Sequence, residues 1–472
     1  MPLIDLVKFV WNKIMSKELS NYTIIELSKL LKDKKFDPLE LLMYFNDKIK
    51  KHKDQSIFIS KNDEISCSDA IESTKRYRDD KHFGPLDGIP LAWKDLFDIK
   101  GYRTTCGSLI RRNENIIEKD ANVVSNCKEI GMVVIGKVNM TEFAFSGVGI
   151  NPNYGTPNNS FSQEKKFIPG GSSSGSAVSV ASGLCPASIG TDTGGSVRIP
   201  ASMNGLIGYK SSEMRIDKSS VHPLSHTLDS IGPIGKCIDD CILIERALRN
   251  EHIVLPRAAD LSGISFVVPK NYVFDNSSDE VIENFENCLS ILSQNGLKIK
   301  REYIKEFDEM VESSKKYGTI VTAEAFYNLN FYLNHQNKDL IDNRVIDRIE
   351  LGREQSAMDY INIVETRRNL NLKIKKIFDD KHFLLMPTVA IRTPEIKDLL
   401  SSVDEFHRLN SLILRNTMIG NYFNLPGVTF PSGFDMNGIP TGILLSSYSN
   451  SDEELLCYSR NLEKLFTKNF KL

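Results

Sequence analysis

Cysteine is scarce in this 472-residue chain, eight in all, and no two stand in a C-x-x-C pair. Cys237 and Cys241 are spaced i,i+4, as on one face of a helix. No histidine adjoins them, so a zinc site would lack its remaining ligands. The cysteines read as small buried apolar side chains and point to a reducing, cytoplasmic compartment rather than a disulfide framework. An excess of one charge is equally lacking. Lys and Arg number 59 against 61 Asp and Glu, a net charge of −2, which gives no footing for direct binding of nucleic acid or another polyanion. No apolar run approaches the ~20 residues of a transmembrane segment. No internal repeat or low-complexity linker stands out. The phosphate-cradling GxxxxGK[ST] loop is missing too.

The remainder is ordinary globular material, 41% hydrophobic and 25% charged. Residues 1–17 read as an amphipathic N-terminal extension, with Leu3, Leu6, Val7, Val10, Trp11 and Ile14 on one face. That stretch has no apolar run long enough for a secretory core, and it has no Arg and one Asp, unlike a transit peptide. It is expected to pack on the body of the protein or on a partner chain.

From there the pattern alternates. Residues 121–130 read as a helix, Met132–Ile135 as a strand, Ile264–Val268 as a strand ended by Pro269. A helical stripe follows (Val281, Ile282, Phe285, Cys288, Leu289, Leu292), then a strand over Lys298–Ile304. Phe383–Met386 and Val428–Phe430 are further strands, each stopped by a proline, and Ser451 with Glu454 forms a capping-box pattern opening a last helix, Asp452–Phe466. Alternation of this kind predicts an α/β fold with a large, mixed, mostly parallel sheet covered by helices on both faces. Residues 305–380 are charged and helical in pattern. They are expected to form a solvated helical edge of a single domain running from 18 to 472.

The informative stretch runs from Pro169 to Lys210, with serine and glycine dense at Gly170–Ser176 and again at Thr193–Ser196. A flexible linker would not carry the apolar Ala177–Gly183 run between them. Gly171-Ser172-Ser173-Ser174-Gly175 fits the G-x-S-x-G nucleophile elbow with Ser173 at its centre, but an elbow follows a buried apolar strand, and Gln163–Pro169 is not one. The eight histidines could supply a distant triad member. His222 and His226 flank Pro223, which argues against a helical metal pair and for a loop.

Taken together, Gly170–Ala177, Asp192–Ala201, Gly88–Asp95 and Gly136–Phe143 resemble the spaced motifs of the amidase signature family. Leu228–Pro233 and Asn424–Gly427 match as well. The resemblance spans residue 18 to the C-terminus. It implies Ser196 as nucleophile, Ser172 as a relay on a cis peptide, and Lys94 as base. A desolvated lysine can serve as base because burial disfavours its ammonium, although Asp95 and Asp98 would oppose this if they faced it. Thr193, Gly194, Gly195 and Ser196 offer backbone amides for the oxyanion at a helix start. Asp192 and Arg198 are expected to brace that loop, with a lesser share for Arg198 in meeting an anionic substrate group.

The implied activity is hydrolysis of a carboxylic acid amide through an acyl-enzyme, with no cofactor and no metal. The partners implied are a small-molecule amide and, as an option, a second copy of the chain in a homodimer. The alternative is the glutaminase component of a tRNA-dependent amidotransferase, which hands ammonia to a partner. Against that alternative, Phe145–Pro152 and Lys210–Arg215 depart from the segments usual in that component. The acyl pocket is expected from residues 140–155, 211–230 and 305–380, with Phe143, Phe145, Tyr154 and Tyr327 as candidate apolar walls.

Overall fold

The computed structural model describes residues 18–467, apart from the side chains of 379–381; the amphipathic reading of 1–17 lies outside the described residues. Strands β1 (Phe58–Ser60), β2 (Pro90–Lys94), β3 (Val133–Val138), β4 (Ala187–Asp192), β5 (Ile207–Lys210), β6 (Ser230–Gly235), β7 (Ser265–Pro269), β8 (Lys298–Glu302), β9 (His382–Pro387), β10 (Gly427–Phe434) and β11 (Pro440–Ser446) form one sheet. Its order is β1-β3-β2-β4-β6-β5-β10-β11-β9-β7-β8.

The α/β class and the mixed sheet are as the sequence implies, but the predominance of parallel strands is not. Six neighbouring pairs are antiparallel and four are parallel. The parallel pairs group at the two ends of the sheet, where helices connect strands. In the middle, β5 reaches β6 through a helix-free loop and β10 turns directly into β11. Links without a crossover helix return the chain antiparallel. Pro431 does not stop β10 either. The register shifts between Pro431 and Gly433, and a bulge of this kind accommodates the missing amide. β8 is shorter than its pattern predicts, ending at Glu302. It lies at the sheet edge with the sequence KIKRE, whose charges discourage pairing with another chain.

Period-two alternation sends successive side chains to opposite faces. Phe266, Val268, Phe383, Leu385, Ile443 and Leu445 pack with Phe285, Leu292 and Leu455 on one face. Val267, Leu384, Met386 and Leu444 pack with Phe307, Leu370, Ile374 and Ile419 on the other. Seven helices matter for the site: α1 (Ser174–Ala181), α2 (Arg198–Met203), α3 (Lys305–Tyr317), α4 (Ile320–Leu333), α5 (Asn343–Glu350), α6 (Ala357–Ile374) and α7 (Val403–Tyr422). Helices α3–α6 fill the stretch between β8 and β9. Leu329 and Val345 join a core with Phe143 and Leu224, and Ile320 and Ile363 pack on Leu228. The charged helical stretch therefore lays its apolar faces over the loops that follow β3 and precede β6.

Gly232 shows how closely the central strands approach. A Cβ there would stand 1.9 Å from the Tyr209 carbonyl oxygen. Gly232→Ala is expected to lower stability by about 1–3 kcal/mol through overpacking. Urea unfolding checks this, and an unchanged midpoint would contradict the close approach.

Candidate active site

β2 and β4 run parallel, with Ala92 beside Ser188 and Trp93 beside Ile189. Their carboxyl ends therefore deliver Lys94 and Asp192 to the same edge, where ligands gather in open α/β sheets. Lys94 is fully buried. Its Nζ donates to Ser172 Oγ at 2.7 Å and to Thr191 Oγ1 at 2.8 Å. Burial pushes the ammonium down to about 7, against the opposing pull of Asp229 and Asp192. Asp95, adjacent in sequence, faces elsewhere. It pairs with Lys137 at 2.8 Å and accepts from the Thr105 amide.

Ser172 follows a cis Gly171–Ser172 peptide and is also fully buried. The segment is pinned by the loop after β3. Gly171 donates to the Gly147 carbonyl at 2.8 Å, and the Ser172 carbonyl accepts from the Thr141 amide at 3.0 Å. Only glycine fits at 171, since a Cβ there would lie 2.5 Å from the Gly149 nitrogen. Ser173, the centre of the elbow pattern, opens α1 and turns its hydroxyl to the Thr191 carbonyl at 3.3 Å. Ser196 meets this segment through its backbone. Its carbonyl accepts the Ser173 amide at 3.3 Å, while the residue itself lines an open cavity.

The loop from Thr193 to Val197 is shaped by one carboxylate. Asp192 takes the Gly195 amide at 2.9 Å and the Val197 amide at 3.1 Å. It is gripped bidentately by Arg198, Nη2 at 2.8 Å and Nε at 3.0 Å, with neither side chain exposed. Burial alone would raise this carboxyl, but the guanidinium, with help from Lys210 and Asn421, holds it well below the usual carboxylate range. Two of the sequence expectations change as a result. Gly195 cannot offer its amide to an oxyanion, because Asp192 holds it. Among the described residues the amides of Thr193, Gly194 and Ser196 have no protein acceptor. Arg198, enclosed in this pair, is out of reach of any substrate anion. Helix α2 has six residues, too few for its dipole to add much. Gly195 sits at φ +128°, and a Cβ there would press on Thr417 Oγ1 at 2.1 Å.

A cavity of about 310 Å³ opens beside Ser196 and Thr193. The expected regions do contribute: Ala144, Phe145 and Ser146, Leu224 and Leu228, and several residues of α3, α4, α5 and α6. Of the four candidate aromatics, Phe145 lines it. Phe143 sits in the core, Tyr154 is half-buried beside Thr105, and Tyr327 is exposed. Unforeseen was α7, which supplies Leu414, Met418 and Asn421. Asn421 also donates to the Asp192 carboxylate at 2.9 Å, and Thr417 donates to the Gly194 carbonyl at 2.6 Å. Thr191, the second acceptor for Lys94, was likewise missed, as was Asp229, which accepts from Thr193 Oγ1 at 2.5 Å. α7 is amphipathic and carries Asn410 and Asn416 as well, so its pattern did not single out Asn421. Thr191 sits beside motif residues without a pattern of its own, whereas Asp229 lies within the matched Leu228–Pro233 segment but was given no role there. His222 and His226 lie in the loop before β6, His222 pushed down to about 3 by burial and by Arg111. Among the described residues no group of three or more His, Cys, Asp or Glu could hold a metal ion.

A serine hydroxyl joined to a buried lysine beside a braced glycine loop on a mixed α/β sheet accords with the class of protein that comparison with known proteins shows, a hydrolase acting on C–N amide bonds. The chain belongs to the Amidase family, whose model matches residues 40–456. It is 31% identical to 2-amino-5-chloromuconic acid deaminase of Comamonas testosteroni, over 82% of this chain and 84% of that one. It is 30% identical to a component of the glutamyl-tRNA(Gln) amidotransferase of Thermotoga maritima, over 81% of this chain and 85% of that one. A crystal structure of an amidase superposes with a TM-score of 0.84 at 26% identity, covering 94% of this chain and all of the other.

Removing one member of the buried pair leaves the other charge uncompensated. Arg198→Met is expected to cost about 3–5 kcal/mol, read as a lowered denaturation midpoint. A variant as stable as wild type would show that Asp192 does not depend on the guanidinium.

Proposed function

We propose that this protein hydrolyses a carboxylic acid amide to the acid and ammonia or an amine, with Ser196 as nucleophile, Ser172 as proton relay and Lys94 as base. The observation that carries this reading is the 2.7 Å contact of a fully buried lysine with Ser172. A lysine can accept a proton only when neutral, and burial favours that form. Ser196 Oγ attacks the amide carbonyl carbon and forms a C–O bond. Its proton passes to Ser172 as the Ser172 proton passes to Lys94. The negative charge on the carbonyl oxygen meets the amides of Thr193, Gly194 and Ser196, which hold no other acceptor among the described residues. Collapse breaks the C–N bond, and the proton returns through Ser172 to the leaving nitrogen. Water then attacks the acyl-enzyme with the relay running in the same sense, releasing acid and restoring Ser196. Asp192 and Arg198 hold the loop in shape and take no part in proton transfer. The eight free cysteines among the described residues fit a reducing, cytoplasmic setting.

The second reading, a glutaminase supplying ammonia to a partner chain, rests on the likeness to the amidotransferase component of Thermotoga maritima. The cavity walls disfavour it. They are largely apolar, and among the described residues that line them there is no Asp or Glu to receive the α-ammonium of glutamine. The chain purified alone is expected to release ammonia from simple amides. Turnover confined to glutamine and dependent on a tRNA-binding partner would establish the second reading instead.

Ser196→Ala is expected to abolish labelling by a fluorophosphonate probe and to lower kcat by about 10³-fold or more. Labelling at the wild-type level would remove Ser196 from the mechanism. Since the neutral form of Lys94 is the active base, kcat/KM should fall about tenfold per pH unit below its midpoint and level off above it, with the midpoint at about 7. A profile that declines as pH rises through that range would exclude Lys94 as base.

A further inference from the structure

Arginines withdrawn from solvent in this chain are paired with carboxylates: Arg198 with Asp192, Arg215 with Glu245, Arg344 with Asp342 and Arg367 with Glu213. Arg415 has no such partner among the described residues, but its donors go to the Val273 and Asp275 carbonyls and to Ser277 Oγ. Arg348, on α5, has no carboxylate partner among the described residues and places only one of its nitrogens on a carbonyl. Its Nε donates to the Phe145 carbonyl at 2.7 Å, and its guanidinium carbon lies 4.5 Å from the centre of the Phe145 ring. These two contacts hold the guanidinium against the Phe145 backbone and ring. Neither Nη has a protein acceptor among the described residues, and the side chain forms part of the cavity wall next to Ser196 and Thr193. Burial alone acts on it, pushing it down to about 10.

The surroundings leave Arg348 without a carboxylate partner among the described residues, since Arg344 is itself paired with Asp342. Arg344 on the same helix and His407 on α7 stand close by, and His407 is pushed down by burial and then by Arg348. The nearby acids Asp347 and Asp404 are exposed. Lys315, on α3, also lines the cavity, and among the described residues no carboxylate does. Ser146 Oγ, buried and without a protein hydrogen-bond partner among the described residues, belongs to the wall as well. The rest of the wall is largely apolar, with Leu224, Leu228, Ile363, Leu414 and Met418.

Arg348 is half-buried, and a cation drawn even partly out of water is costly unless paired. Here the missing partner is a group the cavity admits. A guanidinium held in place with its outer nitrogens free presents the fork that binds a carboxylate bidentately. We infer that the cavity takes an amide whose acyl chain ends in a carboxylate held by Arg348, that is, a half-amide of a dicarboxylic acid joined by an apolar spacer. This rests on the amide hydrolysis proposed above and names its substrate class. An α-amino acid amide is disfavoured, since its ammonium would face Arg348 and Lys315 without an acid to receive it.

The test compares adipamate (the monoamide of adipic acid), glutaramate, uncharged hexanamide and glutamine. Wild-type kcat/KM is expected to favour the better of the two half-amides over hexanamide, and glutaramate over glutamine. Arg348→Met is expected to lower the half-amide to hexanamide preference about a hundredfold, mainly through KM, with Arg348→Lys retaining part of it. Equal losses on both substrates would make Arg348 a support for the Phe145 loop and overturn the inference. So would a wild-type preference for hexanamide or for glutamine. Should the variants fail to fold, wild type still decides: adipate is expected to inhibit competitively and more tightly than hexanoate, with salt weakening the difference, and the reverse order overturns the inference. Failure on every amide would instead count against the hydrolytic reading itself.

Discussion

The Asp192–Arg198 pair holds the loop on which the proposed chemistry stands. Both side chains are out of solvent, so the attraction acts at low dielectric and the cost of desolvating the carboxylate is offset by dense hydrogen bonding around it, while Arg198 Nη1 is left without an acceptor among the described residues. Asp192 takes its bonds from two backbone amides of the loop, from Nε and Nη2 of the guanidinium and from Asn421. The result is a turn of fixed shape, from which Thr193 and Gly194 present amides that bond nothing else among the described residues. The same carboxylate that shapes the loop takes the Gly195 amide away from it. Rigidity and the number of free donors are thus set by one interaction.

Lys94 illustrates the opposite use of burial. Among the described residues it has no carboxylate in contact, and its donors meet only hydroxyl and carbonyl oxygens. Asp95 would have neutralised it, yet β2 turns Asp95 toward Lys137. Strand alternation sends adjacent residues to opposite faces, so a lysine and an aspartate that touch in sequence occupy separate electrostatic environments. Lys94 and Lys137, buried on neighbouring strands, thus meet different surroundings: Lys137 takes Asp95 as its partner and Lys94 has no carboxylate in contact among the described residues.

The motif residues were legible because each needs a particular chemistry at a particular backbone site. Gly171 and Gly195 admit no Cβ, Ser172 and Lys94 must meet, and Asp192 must reach back along its own loop. The strands with continuous apolar runs were legible for the same kind of reason, since burial on both faces leaves no other composition. Strand direction was not. Whether β6 and β10 run with or against their neighbours depends on how loops such as 211–229 return, and those loops carry no periodic signal. Pro431 misled because a proline ends a regular strand but is tolerated at a bulge. The cavity's far wall was hidden because α7 reads as an ordinary amphipathic helix. Its role appears only when Asn421 is seen against Asp192, a contact between residues 229 positions apart.

That last separation bears on how the protein is made. Lys94, Ser172 and Ser196 are all in place in the growing chain long before α7 has been synthesised. Until α7 docks, Asp192 lacks its Asn421 partner, the Gly194 carbonyl lacks Thr417, and the cavity has no wall at Leu414 and Met418. The proposed nucleophile therefore exists as a sequence well before it exists as a site. An unfinished chain carries the whole motif without the enclosed, braced geometry that makes a serine reactive.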